Sequence, residues 1–265
     1  MRAATLLFLG LILAPGAALA QAPACPAPKP MHFVVESRFP RSVPAFTEGF
    51  EVHDHQIYES SGSMFGGSRL LRMTEKGQAT LLASDGQSFF GEGLTILDNK
   101  IFRLTWTEHK VFVYDLAGKR ERVMANPDHE GWGMTNDGSH LIFDDGGASL
   151  YFTDPRNFRI LHSVKVRAGA EPIARLNELE WVDGKIYANV FEDRSILRID
   201  PLSGCVEATA ELDNLWDRMT PSERATLATD GNFVLNGIAY DHDEKLFYLT
   251  GKVWPMVFTG HFVEN

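Results

Sequence analysis

Five short segments of this chain place a polar or aromatic side chain beside glycine or an apolar residue at the start of an extended run. They are Phe46-Thr-Glu-Gly-Phe50, Gly91-Glu-Gly-Leu-Thr95, Gly131-Trp-Gly-Met-Thr135, Leu176-Asn-Glu-Leu-Glu180 and Leu235-Asn-Gly-Ile-Ala239. Aligned on Glu48, Glu92, Trp132, Asn177 and Asn236, they are separated by 44, 40, 45 and 59 residues. Two carboxylates, an indole and two carboxamides brought together can move protons and hold a polar substrate against an aromatic wall. A covalent nucleophile is not offered: the chain has no Gly-x-Ser-x-Gly elbow and no His-Glu-x-x-His helix.

Similarity recurring every forty-odd residues in a β-rich chain predicts a propeller with one blade per repeat, its aligned residues meeting at one end of a central channel. Within each repeat, alternating apolar runs are separated by turn dipeptides such as Asp85-Gly86, Asp137-Gly138 and Asp183-Gly184. The longer last interval contains Thr220-Pro221-Ser222-Glu223, a capping box with proline at the first helical position. A short helical insertion reaching about Thr229 is expected there. The last repeat ends after three strands, at Phe258–Val263, and His32–Arg38 has the composition to supply the missing outer strand. The expected fold is therefore all-β: a five-bladed propeller over 31–265, closed by its own two ends.

Residues 1–20 read as a cleavable signal peptide, with Arg2 before the apolar run Leu6–Leu13 and Ala18-Leu-Ala20 at the cut. No later stretch has membrane-spanning length, so a periplasmic or secreted location is expected. Residues 21–30 read as an extended Pro- and Ala-rich leader, and about 245 residues remain after cleavage. Loss of Arg2 takes the formal charge from −10 to −11. Such acidity disfavours nucleic acid and anionic membranes and suits cationic small partners. In an oxidising compartment the only two cysteines, Cys25 and Cys205, are expected to form one disulfide.

These phrases, with Tyr58-Glu-Ser-Ser-Gly62, Leu104-Thr-Trp106 and Thr250-Gly-Lys-Val-Trp-Pro255, resemble the glutaminyl-peptide cyclotransferases of plant and bacterial type. The similarity extends over roughly Phe46 to Phe258, in the family's order and spacing. It implies a five-bladed propeller that converts N-terminal glutamine of peptides and proteins to pyroglutamate with loss of ammonia. By this resemblance Glu92 matches the essential acidic residue, Asn177 the pocket asparagine and Lys252 the pocket lysine. Phe46, Phe90, Trp106 and Trp132 match the aromatic walls. Two positions depart from the commonest pattern: Glu48 stands where glutamine is usual, and Phe191 where plant enzymes have tryptophan.

Cyclisation joins two groups of one residue, so the substrate supplies most of the proximity and no enzyme nucleophile is needed. The α-amine, with an ordinary pKa of about 7.7–8, must lose a proton, and the departing nitrogen must gain one. One carboxylate can do both in turn, the role the resemblance implies for Glu92. Asn177 and Lys252 are expected to hold the oxyanion. Glu48 is expected to bind the substrate ammonium or to form a salt bridge; beside Glu92 it would titrate jointly with it. His53-x-His55 reads as an exposed hairpin turn, and Asp241-His-Asp-Glu244 opens like a calcium loop but lacks its glycine and distal glutamate. No cofactor is expected for catalysis, and a structural metal stays open. The competing readings are a non-catalytic propeller that binds a peptide or protein partner, and a calcium-dependent sugar-lactone hydrolase, against which Trp132 in the ring argues. A monomer is expected.

Overall fold

In the computed structural model the described residues are 24–63 and 67–264. The signal-peptide reading and Gln21 lie outside them. The long strand β1 (Lys29–Pro40) precedes three four-stranded antiparallel sheets with strands in chain order. The first is β2 (Thr47–His53), β3 (Gln56–Ser61), β4 (Ser68–Met73) and β5 (Ala79–Gly86). The second is β6 (Gly91–Leu97), β7 (Lys100–Thr105), β8 (Lys110–Asp115) and β9 (Arg120–Ala125). The third is β10 (Met134–Asn136), β11 (Leu141–Phe143), β12 (Ser149–Thr153) and β13 (Ile160–Lys165). A two-stranded ribbon, β14 (Arg167–Ala168) and β15 (Glu171–Pro172), follows.

The remaining strands are β16 (Leu176–Val182), β17 (Lys185–Val190), β18 (Ser195–Ile199), β19 (Val206–Glu211), β20 (Leu235–Asp241), β21 (Leu246–Gly251) and β22 (Met256–Glu264). Together with β1 they form one eight-stranded sheet in the order β16-β17-β18-β19-β1-β22-β21-β20. As the composition of His32–Arg38 implied, β1 pairs antiparallel with β22, from Met31–Glu264 to Pro40–Met256. Its first residues, Lys29–Met31, also pair in parallel with Ala208–Ala210 of β19, which the sequence had not suggested. The strand therefore begins within the segment read as leader. Cys25 is bonded to Cys205, 180 residues away, as expected, and its N–H donates to the carbonyl of Gly169.

Burial falls from the first strand of each sheet outward. Inner strands β6 and β20 are buried along their whole length, whereas outer strands β5, β9 and β13 are mostly exposed or half-buried. Strands covered on both faces read as nearly continuous apolar runs, and alternation survives only further out, as in β19. Tight turns join the strands. Asp54-His55, Asp98-Asn99 and Asp183-Gly184 all have positive φ at both positions, the geometry that matches strand twist in two-residue hairpins.

Between β19 and β20 lie two helices, α1 (Asp213–Asp217) and α2 (Pro221–Leu227). The capping box of α2 is formed: Glu223 N–H donates to Thr220 Oγ1, and Thr220 N–H donates to Glu223 Oε2 at 2.6 Å. The helix ends at Leu227, just short of the expected limit. Both helices bury a leucine (Leu215 and Leu227) in the same apolar cluster as Met31, Phe33 and Phe258. The two ends of the chain and the insertion are thus one packing unit.

Candidate active site

Inner strands β2, β6, β10, β16 and β20 lie side by side and all begin on one face. Their close approach is why glycine recurs in four of the five sequence phrases. A Cβ on Gly93 would lie 2.5 Å from the backbone of Trp132 and Met134, and one on Gly91 would lie 1.9 Å from the buried guanidinium of Arg103. Both glycines flanking Glu92 are therefore required by packing, and Glu92 between them is buried.

A cavity of about 360 Å³ opens on this face, lined by Phe46, Glu48, Phe90, Glu92, Trp106, Trp132, Asn177, Phe191, Asn232 and Lys252. All nine site residues expected from sequence are here, and Asn232 is added. Asn236, the fifth member of the aligned set, does not line the cavity. It is fully buried and donates from Nδ2 to the Thr47 carbonyl at 2.9 Å and to Glu48 Oε2 at 3.4 Å.

Lys252, just beyond β21, reaches both oxygens of Glu48, with Nζ 2.9 Å from Oε1 and 2.7 Å from Oε2. Its ammonium also lies 4.8 Å from the Phe46 ring centre and 5.1 Å from that of Phe191. The residue after it, Val253, has φ 65, a left-handed conformation costly for a β-branched side chain. Its N–H is held by the Ala45 carbonyl at 2.8 Å. Arg41, buried with Glu59, donates to Thr47 Oγ1 and to the carbonyls of Gly251 and Trp254. It thus fixes the backbone on either side of the Glu48–Lys252 pair.

Glu92 lies close enough to Glu48 for the two carboxyls to influence each other's ionisation, and its pKa is held well above the usual carboxylate range. Burial is the main cause, followed by the charge of Glu48, with Lys252 opposing. Burial also raises the Glu48 pKa, against the pull of Lys252. Lys252 contacts Glu48 directly and acts on Glu92 only through its charge, so burial favours the neutral form more strongly at Glu92 than at Glu48. Asn177 is 1 % exposed at the cavity wall, and among the described residues its Oδ1 has no hydrogen-bond partner.

The aromatic walls interlock edge to face: Phe46 with Phe90, Phe90 with Trp106, and Trp132 with Phe191 at 5.7 Å and 90°. Sequence reasoning missed Glu130, whose Oε2 accepts from the indole nitrogens of both Trp106 (2.8 Å) and Trp132 (3.2 Å). Through that one carboxylate the two walls share an anchor, although Trp106 is 41 % exposed.

Further carboxylates are buried nearby and accept backbone hydrogen bonds. Glu178 accepts from the backbone N–H groups of Phe50 and Ile238, Asp144 from those of Gly133 and Gly146, and Glu180 from that of Tyr240. Burial lifts all three pKa values well above normal, and that of Glu51 to about 7. Glu178 and Glu180 stood in Leu176-Asn-Glu-Leu-Glu180, and their hydrogen bonds tie β16 to β2 and β20.

His53 and His55 flank the β2–β3 turn, as expected, at the far end of β2 from the cavity. His55 Nδ1 is 3.0 Å from Asp241 Oδ2. Among the described residues His55, Glu75 and Asp241 could offer a metal three ligand atoms within 4.8 Å of one another. The Asp241 phrase is an ordinary turn in which Oδ1 accepts from the N–H groups of Asp243 and Glu244.

The sequence pattern of a family described as glutamine cyclotransferase matches residues 7–262. The chain is 31% identical over 229 residues to a glutaminyl-peptide cyclotransferase from Arabidopsis thaliana, an alignment spanning 84% of this chain and 69% of that protein. Its fold is similar to the crystal structure of Myxococcus xanthus glutaminyl cyclase, with a TM-score of 0.76 and 29% identity. The match covers 90% of this chain and 99% of that one.

Proposed function

The chain belongs to the glutamine cyclotransferase family of enzymes, and from that premise we propose that it converts N-terminal glutamine of peptides and proteins to pyroglutamate with release of ammonia, by general acid–base catalysis without a metal. The observation that carries this reading is the meeting of Glu92, Glu48, Lys252 and Asn177 in one aromatic-walled cavity. We read the three separate sheets and the two halves of the eight-stranded sheet as five blades of one propeller domain, 31–265, in a monomeric protein. The Cys25–Cys205 bond supports export. Among the described residues no helix is long and apolar enough to cross a membrane.

In this mechanism the glutamine side chain enters between the aromatic walls and its amide oxygen meets Lys252 and Asn177. The lysine ammonium has three donors. Two point at Glu48 and the third is left for the substrate. Glu92, ionised in the reactive state, takes a proton from the α-ammonium, whose nitrogen then attacks the side-chain amide carbon. The resulting oxyanion is held by Lys252 and by the Asn177 amide. Glu92 returns its proton to the amide nitrogen, the C–N bond breaks, and ammonia leaves as the lactam carbonyl forms, while the carboxylate so regenerated takes the remaining extra proton from the ring nitrogen. Water excluded by the aromatic walls would otherwise weaken each of these interactions.

Both Glu48 oxygens are already occupied by the Lys252 ammonium, which leaves no free carboxylate there to hold a dication. A fluorogenic glutaminyl substrate should therefore be turned over equally before and after dialysis against a strong chelator. Activity lost to the chelator and restored by zinc would overturn the metal-free mechanism. No turnover in either arm would favour a non-catalytic peptide-binding role.

The carboxyl pair also sets a pH dependence. Because Glu92 must be ionised to act as base and its pKa is raised, kcat/KM falls as pH drops through that raised value. Glu48→Gln removes a neighbouring negative charge and leaves Lys252 facing Glu92. The acid limb should then move to lower pH. The substrate amine titrates identically with both enzymes, so the difference between the two profiles isolates the pair. Superimposable limbs would show that Glu48 does not govern Glu92.

A further inference from the structure

Beside the catalytic cavity on the same face lies a second and larger one, of about 460 Å³. Its floor is apolar, built from Leu212, Trp216, Leu227, Phe233 and Trp254. It exists because of the α1–α2 insertion that lengthens the last repeat interval. Three segments line both cavities, two with consecutive residues and one with residues two apart. Phe191 faces the catalytic cavity and Glu192–Arg194 the second; Asn232 faces the first, and Gly231 and Phe233 the second; Lys252 and Trp254 divide in the same way. At the first divide Glu192 has φ 61, a left-handed residue that turns the chain from one cavity to the other.

The polar groups around the second cavity are already engaged within the protein. Glu192 pairs with Arg175 at 2.9 Å, and Arg194 with Asp213 at 2.8 Å while lying 5.0 Å from the Trp216 ring centre. Asp193 accepts from the N–H of Ser195, and Asp230 from that of Asn232. What the cavity leaves for a ligand is its apolar and aromatic surface.

We propose that this cavity is the subsite for the residues that follow the glutamine, and that it selects peptides with apolar or aromatic side chains there. The inference rests on the catalytic reading of the neighbouring cavity. A glutamine seated between Phe191 and Lys252 must send its peptide bond outward, and the groove that shares those walls runs from there onto α1 and α2. Glutamine recognition is left to the first cavity, and choice among peptides to the second.

The test compares kcat/KM on Gln-Gly-Gly-amide with peptides in which phenylalanine or leucine replaces one or both glycines. The wild type should favour the apolar peptides by about tenfold or more, chiefly through KM, as expected for one apolar side chain leaving water. Trp216→Ala, checked for an unchanged melting temperature, should bring that ratio towards one. A wild type indifferent to the following residues would overturn the proposal whatever the variant does. So would a folded Trp216→Ala enzyme that keeps the full preference. Failure to turn over even Gln-Gly-Gly-amide would instead remove the catalytic reading, and this one with it.

Discussion

Glu92→Gln should fold as the wild type does and lose at least about two orders of magnitude in kcat, the usual worth of a positioned proton-transfer group. The substitution is nearly isosteric. Burial and the charge of Glu48 disfavour ionisation of the Glu92 carboxyl. A neutral amide therefore replaces a largely neutral acid, and the cavity's electrostatics change little. What disappears is the capacity to take a proton from the substrate amine and return it to the leaving nitrogen. An unchanged melting temperature with collapsed turnover is the expected pair of readings. Near-wild-type turnover in the folded variant would remove Glu92 from the mechanism.

Lys252→Met should cost about 10²–10³ in kcat, the range seen when one oxyanion donor is removed. Methionine preserves much of the stem's length and apolar contact while deleting the charge. The same change leaves Glu48 and Glu92 buried without their shared cation. Both carboxyls then hold protons more tightly, because Lys252 opposes the burial that raises each of them. The acid limb of kcat/KM should move to higher pH, opposite to the shift expected of Glu48→Gln. Opposite movements in the two variants would be hard to produce by general damage to the cavity. A Lys252→Met enzyme with unchanged kcat and an unmoved limb would assign the oxyanion to other donors.

The inner-strand residues of the site were legible because they repeat. Glu48, Glu92, Trp132 and Asn177 each sit near the start of an inner strand, and the packing that demands glycine beside some of them recurs from sheet to sheet. Lys252 lies outside that repeat, in a turn held by the left-handed Val253, and only the resemblance to a known family singled it out. Glu130 and Asn232 lie in polar loops where nothing periodic marks them. Their roles come from a shared indole anchor and from a loop folded over the cavity.

The fold divides along the same line. The helix α2 announced itself through a capping box, whereas α1 follows Leu212 with no side-chain cap and leaves no comparable signal. The outer strand β1 was readable from its composition. Its parallel contact with β19 pairs Lys29 with Ala208, far apart in sequence, which no local pattern encodes. The ribbon of β14 and β15 has only two residues per strand, too few for any alternation to show.

The central claim is that one buried carboxylate carries a proton from the glutamine amine to its departing amide nitrogen. Intact-mass spectrometry of a peptide with N-terminal glutamine, incubated in parallel with wild type and with folded Glu92→Gln, tests it most directly. The expected result is a product lighter by one ammonia and lacking a free amine in the first reaction, with unchanged peptide in the second over the same period. Equal conversion by both proteins, or an unaltered peptide with both, would contradict it.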